Sequence, residues 1–331
     1  MITLSLSGDS YEIGFQHGEQ LKNLIHDKIR KCCRFYDENK IPDKNLLEKK
    51  IKKLQINFPE ILQEIRGIAD GSDNSFDDIL ILNFIPWENS CTNIAFLEDK
   101  QPILGHVNDD NDPTGDIAFK ITKNNEKKLH YIGLAGSVGV SAALNSYGLA
   151  LSHSCARSNG IKNRDEFLNL GVFRRIIAEK CQNCEQAKQF ITDNSFYSGA
   201  DNIICIDKSK SAFVAEKLPT EVEFRYPEKR TIFCTGRFLS SKISRLTKQD
   251  EYENENKAIE ILINRENYIK NMIEKYVDKL SDDIMKQILC CNEKNIEVCN
   301  KLSNWAAILS PKKFELFLAD RYPCYNEFIK I

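Results

Sequence analysis

Long apolar runs, basic tracts and a dense cysteine framework are all missing from this sequence. The 46 Lys and Arg residues are matched by 48 Asp and Glu residues spread along the chain, so nucleic acid is not an expected partner. No window approaches the run of about eighteen apolar residues that a membrane helix needs, so no membrane partner is expected either. Residues 1–7 lack the basic and apolar regions of a signal peptide. The sequence therefore predicts a cytoplasmic protein.

The cysteine content also excludes a class of protein. Twelve cysteines in 331 residues are far too sparse for a small secreted scaffold held by disulfides, so reduced thiols are expected. Cys181 and Cys184 form a CxxC pair, but no second CxxC or CxxH completes a zinc site. A metal or redox role for this pair is the less favoured alternative. We expect no metal and no cofactor.

The first quarter of the chain has helical periodicity. Residues 2–7 alternate like a strand, and amphipathic patterns then predict helices that begin near Ser10, Lys44, Pro59 and Phe76. Gly14 and Gly18 lie four residues apart in the first helix, which weakens the helix but permits close approach of another element. No low-complexity linker or repeat divides the chain.

A long run of strands follows. The pattern predicts a hairpin over 91–97 and 103–109, and further strands over 116–122, 129–134, 138–144, 148–153, 202–206, 212–216, 221–224, 231–234, 304–309 and 314–318. Helical patterns over 169–180, 184–193, 240–277 and 284–291 separate these strands into blocks. Blocks of strands alternating with blocks of helices indicate an α+β fold with two stacked antiparallel sheets covered by helices.

Cys91 stands where the helical region gives way to the first hairpin, at the first position of a predicted strand. The returning strand ends at Asp109 and so brings a carboxylate back toward the thiol. If the chain is cut before Cys91, the freed α-amine, with a reference pKa of about 8, can serve as the general base for the thiol. The alternative is that Cys91 is a small buried apolar residue, which is the commoner role for a cysteine.

Five segments resemble one known family. Residues 8–18, 59–72 and 88–92 are similar to motifs of the acyl-coenzyme A:6-aminopenicillanic acid acyltransferase-like family, whose members are cysteine N-terminal-nucleophile hydrolases of the peptidase C45 type. Residues 105–109 resemble its Gly-x-Asn-x-Asp segment, and residues 136–149 resemble its glycine-rich hairpin. The resemblance implies a four-layer αββα sandwich, made as an inactive precursor and activated by self-cleavage.

Transferred to this sequence, the resemblance places the cut between Ser90 and Cys91. Residues 1–90 would then be a mainly helical pro-segment or small subunit, and residues 91–331 the core that carries the nucleophile, together forming one compact domain. Cys91 would be the nucleophile, and Asp109 would orient its α-amine. The implied substrate is a small-molecule or peptide acyl compound with a linear amide or thioester, whose acyl group passes to water or an amine. Homo-oligomer formation is left open.

The sequence also departs from the family pattern. Gly236 stands where the family has an asparagine that donates to the oxyanion, so Asn202, Arg237 and Thr92 are the candidate oxyanion or substrate-binding residues. The family arginine before the final hairpin has no match either, since Asn300 and Lys301 stand there. The penicillin-forming activity is therefore not transferred. The alternative function is a weak or inactive relative that binds an acyl or peptide ligand.

Overall fold

The structure is a computed structural model that describes residues 1–35, 44–84, 91–98, 100–110, 115–156, 169–194, 200–248 and 258–331. These residues belong to two compact units. The first comprises residues 1–87, 114–141 and 163–179, and the second comprises residues 88–113, 142–162 and 180–331. Ser90 lies outside the described residues, so the division of the chain before Cys91 stays a prediction.

The observed elements follow the predicted order. The described helices are α1 (Ser10–Phe35), α2 (Lys44–Asn57), α3 (Pro59–Ser72), α4 (Phe76–Phe84), α5 (Leu170–Lys180), α6 (Cys184–Asn194), α7 (Ser241–Leu246), α8 (Ala258–Tyr276) and α9 (Asp282–Leu289). The strands are β1 (Ile2–Gly8), β2 (Thr92–Leu97), β3 (Pro102–Asp109), β4 (Asp116–Lys123), β5 (Lys127–Leu134), β6 (Ala142–Asn145), β7 (Leu149–Ser154), β8 (Asp201–Asp207), β9 (Ala212–Lys217), β10 (Val222–Arg225), β11 (Thr231–Cys234), β12 (Ser303–Ser310), β13 (Glu315–Asp320) and β14 (Ile329–Lys330). Within the predicted helical region 240–277, residues 249–257 lie outside the described part of the chain.

Helices α1 and α3 of the first unit lie in very close contact. Glycines at matching four-residue steps on both helices permit this, because a Cβ on Gly14 would lie only 2.1 Å from the carbonyl oxygen of Glu64. A Cβ on Gly67 would lie 2.1 Å from the carbonyl oxygen of Tyr11. The close approach predicted from Gly14 and Gly18 is confirmed, and its partner is α3.

Gly67→Ala is expected to lower the free energy of unfolding by about 2 kcal/mol or more, because the new methyl group must push two helix backbones apart. The gain in helix propensity, about 1 kcal/mol, offsets only part of this loss. Urea unfolding measures the change. Gly139→Ala is the control, because its Cβ would lie 3.1 Å from its nearest neighbour, which needs to move by only a few tenths of an ångström. A loss for Gly67→Ala no larger than the control's would contradict this account.

The strands of the first unit correct one prediction. Strands β4 and β5 form the expected antiparallel hairpin, but β1 pairs with β4 in the parallel direction, with Ile2 opposite Ile117. The predicted purely antiparallel arrangement is therefore wrong at this position. Short turns force neighbouring strands to run antiparallel, whereas β1 and β4 are separated by a long stretch of chain that leaves either direction open.

The second unit contains two sets of antiparallel strands. One set has the order β6-β7-β8-β9-β10, and the other is a six-stranded sheet with the order β11-β2-β3-β12-β13-β14. Helices α8 and α9 cover the six-stranded sheet through a buried apolar cluster that includes Ile94, Val107, Ile269 and Met285. Because β2 lies between β11 and β3, the residues at its first positions are enclosed by neighbouring strands.

A glycine-containing segment follows β5 in the first unit, and two polar side chains hold it. The backbone N–H of Gly136 donates to Nε2 of His17 (2.9 Å), and Nδ2 of Asn83 donates to the carbonyl oxygen of Gly136 (2.9 Å). Burial, together with Arg175, lowers the pKa of His17 to about 3, so the ring stays neutral as this acceptor requires. His17 therefore has a structural role in the first unit.

Candidate active site

Cys91 immediately precedes β2 and is fully buried. Its backbone N–H donates to the hydroxyl oxygen of Ser154 (3.1 Å), and that hydroxyl donates to the carbonyl oxygen of Cys91 (2.7 Å). The thiol sulfur lies 3.6 Å from Oδ1 of Asn108 on β3. The position of Cys91 is thus set by two strands, β7 through Ser154 and β3 through Asn108. Neither of these partners was among the residues predicted from the sequence.

Asp109 lies at the end of β3 with its side chain buried. Its carboxylate accepts hydrogen bonds from Arg265 Nη1 (3.2 Å), Asn300 Nδ2 (3.0 Å) and the hydroxyl of Ser303 (2.5 Å). Burial raises the pKa of Asp109 above its ordinary value, and this effect outweighs the opposing effects of Arg265, Ser303 and Asn300. The predicted orientation of the Cys91 amine by Asp109 stays a prediction, because in the uncut chain the Cys91 nitrogen is a peptide nitrogen.

Arg265 of α8 links Asp109 to the residue after Cys91. Its Nη1 also donates to Oγ1 of Thr92 (2.9 Å), and its Nη2 donates to the carbonyl oxygen of Glu297. Arg265 was not among the residues predicted from the sequence, because it comes from a helix far from Asp109 in the chain. The sequence did contain one indication of its role: Arg265 falls on the buried face of α8, at helical spacing from Leu262 and Ile269. A charged residue on such a face often has a buried partner.

Two of the three candidate oxyanion or substrate-binding residues meet at the turn that follows β11: Arg237 belongs to this turn, and Asn202 on β8 binds it. Nδ2 of Asn202 donates to the carbonyl oxygens of Thr235 (3.0 Å) and Arg237 (2.8 Å). The guanidinium of Arg237 donates to Glu266 (2.7 Å), which also accepts from the Thr235 hydroxyl (2.5 Å). The Asn202 side chain therefore holds the backbone around Gly236, and Glu266 links the side chains of Arg237 and Thr235. Their roles as oxyanion donors stay predictions.

The strand register connects this turn to Cys91. Asn202 on β8 pairs with Ser154 on β7, the residue whose hydroxyl binds the Cys91 backbone. Asn93, two residues after Cys91, accepts from the hydroxyl of Ser152 (2.5 Å). The Oδ1 of Asn93 also lies 2.6 Å from Nδ1 of His106 on β3. Cys91, Thr92, Asp109 and Asn202 thus lie on strands of the second unit or directly beside one.

The CxxC cysteines lie apart from this constellation and pack against other elements. The Cys184 thiol donates to the carbonyl oxygen of Ser211 (3.1 Å), and the carbonyl oxygen of Cys181 accepts from the Asn145 side chain (2.7 Å). Burial raises the pKa of Cys181 to about 12, which keeps its thiol protonated at neutral pH.

Comparison with known proteins identifies the family. A family model described as Acyl-coenzyme A:6-aminopenicillanic acid acyl-transferase matches residues 96–305, more than half of the chain. The chain belongs to this family. The matched region of this acyl-transferase family begins downstream of Cys91 and includes Asp109, Asn202, Arg237 and Arg265. The resemblance predicted from the sequence motifs is confirmed.

The relatives and the solved structures that resemble this acyl-transferase family member are distant from it in sequence. An uncharacterized protein of Archaeoglobus fulgidus is 24% identical over 188 residues, covering 45% of this chain and 32% of that protein. The chain thus spans about a third of the length of this curated relative. An N-acylethanolamine-hydrolyzing acid amidase ortholog of Caenorhabditis elegans superposes with a TM-score of 0.50 at 15% identity, covering 67% of this chain and 93% of the other. A single-residue variant of the conjugated bile acid hydrolase of Clostridium perfringens reaches a TM-score of 0.49 at 12% identity, covering 73% of this chain and 92% of the other.

The superposition on the Caenorhabditis elegans acid amidase ortholog shows the fold. The chain has the same α+β fold, with two sheets and helices, as the sequence predicted. None of the described helices combines the length and apolar character needed to cross a bilayer.

Proposed function

We propose that this protein is a cysteine N-terminal-nucleophile amidohydrolase or acyltransferase that acts on a linear amide or thioester, with Cys91 as the nucleophile. The placement of Cys91 carries the proposal. A single hydroxyl, that of Ser154, binds both the nitrogen and the carbonyl oxygen of this residue, and the thiol lies beside Asn108.

Self-cleavage is the proposed activation step. The Cys91 sulfur attacks the Ser90 carbonyl carbon, a carbon–sulfur bond forms, and the carbon–nitrogen bond between the two residues breaks. The nitrogen takes up the thiol proton and becomes the α-amine of Cys91. Water then hydrolyses the thioester, which releases the Ser90 carboxylate and the free thiol. The α-amine has a reference pKa of about 8 and can accept a proton at neutral pH.

The mature site repeats the same chemistry on a substrate. The α-amine accepts the thiol proton as the sulfur attacks the acyl carbonyl, and it returns this proton to the leaving amine or thiolate as the acyl-enzyme forms. Water or an acceptor amine then removes the acyl group. We assign the oxyanion to donors near Gly236, with Asn202, Arg237 and Thr92 as the candidate side chains. Because Asn202 binds two carbonyls of that turn, the backbone N–H groups of the turn are further candidates.

The intact mass of the purified wild-type protein tests the proposal. We expect two chains, residues 1–90 and residues 91–331, and an amino terminus that begins at Cys91. A thiol-directed acyl probe should add its acyl mass to the larger chain. Full-length mass alone, in a preparation that hydrolyses an amide, would show that the free-amine mechanism is wrong. Full-length mass without turnover would favour the alternative of an inactive relative that binds an acyl or peptide ligand.

Asp109→Asn is expected to slow both processing and turnover by about tenfold or more, because it removes the charge that we assign to orienting the α-amine. The variant also leaves Arg265 without its buried counter-charge, so the melting temperature should fall. Rates are therefore measured well below that temperature. Asp110→Asn is the control, since it removes the neighbouring carboxylate in the same chain segment. Equal processing and turnover by wild type and Asp109→Asn would contradict the assigned role.

A further inference from the structure

Three chemically distinct side chains converge at the start of β8 in the second unit. His153 is on β7, Cys155 directly follows β7, and Asp201 begins β8; their exposed fractions are 4%, 7% and 0%. Nδ1 of His153 lies 3.4 Å from Oδ1 of Asp201 and 3.8 Å from Sγ of Cys155. One ligand atom from each residue lies within 4.8 Å of the other two.

Two of these three separations resemble edges of a zinc tetrahedron. Bonds of about 2.1 Å to nitrogen and oxygen and about 2.3 Å to sulfur place the nitrogen about 3.4 Å from the oxygen and about 3.6 Å from the sulfur. Both distances involve Nδ1 of His153, and a neutral imidazole nitrogen is the commonest metal ligand in proteins. A single cation can therefore be bound by all three atoms.

We infer that His153, Cys155 and Asp201 bind a Zn²⁺ ion, with water as the fourth ligand. Imidazole, thiolate and carboxylate are the ligand types that zinc prefers, and the two anionic ligands balance its charge. Because all three groups are buried, balance between the charge of the ion and the two anionic ligands stabilises the folded protein, since an unbalanced charge in the interior is costly. The site is separate from the Cys181–Cys184 pair.

The zinc site has a structural role. Ser154 lies between two of the ligands in sequence, and its hydroxyl makes both hydrogen bonds to the Cys91 backbone. An ion that holds His153 and Cys155 therefore limits the movement of the residue that positions Cys91. The ion takes no part in the acyl chemistry, and its binding does not require that chemistry to occur.

A cobalt titration tests the site. Reduced wild-type protein is freed of metal with a chelator and then titrated with Co²⁺, whose thiolate complexes absorb in the near ultraviolet. We expect a charge-transfer band that saturates at a single equivalent and disappears when Zn²⁺ is added. Cys155→Ser should lose the band. Cys205→Ser, which alters another buried cysteine of the same unit, should keep it, and so should Cys91→Ala.

The result in Cys91→Ala separates this inference from the proposed function, because that variant has no nucleophile. Absence of stoichiometric metal in the wild-type protein would contradict the proposed zinc site. Lys217, which is opposite Asp201 in the pairing of β8 with β9, would then be the counter-charge of the Asp201 carboxylate. A band that survives in Cys155→Ser, or that vanishes in Cys91→Ala, would also overturn the zinc site. If circular dichroism shows that Cys155→Ser is unfolded, the metal content of His153→Gln and of Asp201→Asn is measured instead. Metal binding by both variants at the wild-type level would again contradict the proposed zinc site.

Discussion

Cys91→Ala is expected to leave a single uncut chain of 331 residues and to lower amide turnover by about 10⁴-fold or more. The reason is that one sulfur serves both reactions: it attacks the Ser90 carbonyl during activation and the substrate carbonyl during turnover. Intact mass measures the first loss, and release of amine from a linear amide measures the second. Cys91→Ser keeps a nucleophilic atom and should be cut slowly.

The control for this variant is Cys205→Ala. Cys205, like Cys91, is fully buried in the second unit, so both variants remove a sulfur from the interior and both should lose a similar small amount of stability. Only Cys91→Ala should lose processing. If Cys91→Ala still yielded a chain that begins at residue 91, another protease would be responsible for the cut. If it kept its turnover, the nucleophile would lie elsewhere.

Arg175→Met is expected to lower the free energy of unfolding by about 3–5 kcal/mol, because it removes the counter-charge of the buried Glu64 carboxylate. In the first unit the guanidinium of Arg175 donates to both carboxylate oxygens of Glu64, at 3.2 and 2.9 Å, and to Glu179 at 2.7 Å. It also lies over the ring of Tyr131, 4.8 Å from the ring centroid. Lys123 donates to Glu179 from the other side at 3.0 Å.

The two carboxylates of this cluster respond differently to burial. Burial raises the pKa of Glu64, and the attraction of Arg175 does not overcome it. Burial also opposes ionisation of Glu179, but Arg175 and Lys123 together lower the pKa of that residue to about 2. Glu64 is therefore the carboxylate that is destabilised most when Arg175 is removed.

A double variant tests whether the stability loss comes from the unpaired charge of Glu64. Glu64→Leu combined with Arg175→Met should unfold at higher urea concentration than Arg175→Met alone, because no unpaired charge remains at position 64. The control is Lys242→Ala, which removes the half-exposed Lys242–Glu221 pair (2.8 Å) and should change stability by less than about 1 kcal/mol. A loss for Arg175→Met as small as that of Lys242→Ala would show that the buried pair contributes little.

Some features of the site could be derived locally. Cys91 stands out because the change from helical to alternating periodicity occurs there, and Asp109 follows from the length of the predicted hairpin. In the structure Thr92 is opposite Val107, and the thiol contacts Asn108, the residue before Asp109. Hairpin pattern alone did not predict this, since register depends on the turn and on packing of both strand faces.

By itself the sequence determined the order of helices and strands, the glycines of α1 that permit close approach of another element, and the candidate nucleophile, because periodicity and turn chemistry act over a few residues. Only the tertiary structure decided that Ser154 binds the Cys91 backbone, that Arg265 of α8 reaches Asp109, and that β1 joins β4 in parallel. These contacts join residues far apart in the chain. Their partners are chosen by strand order, register and burial of charge, which depend on the whole folded unit and leave little trace in any short segment.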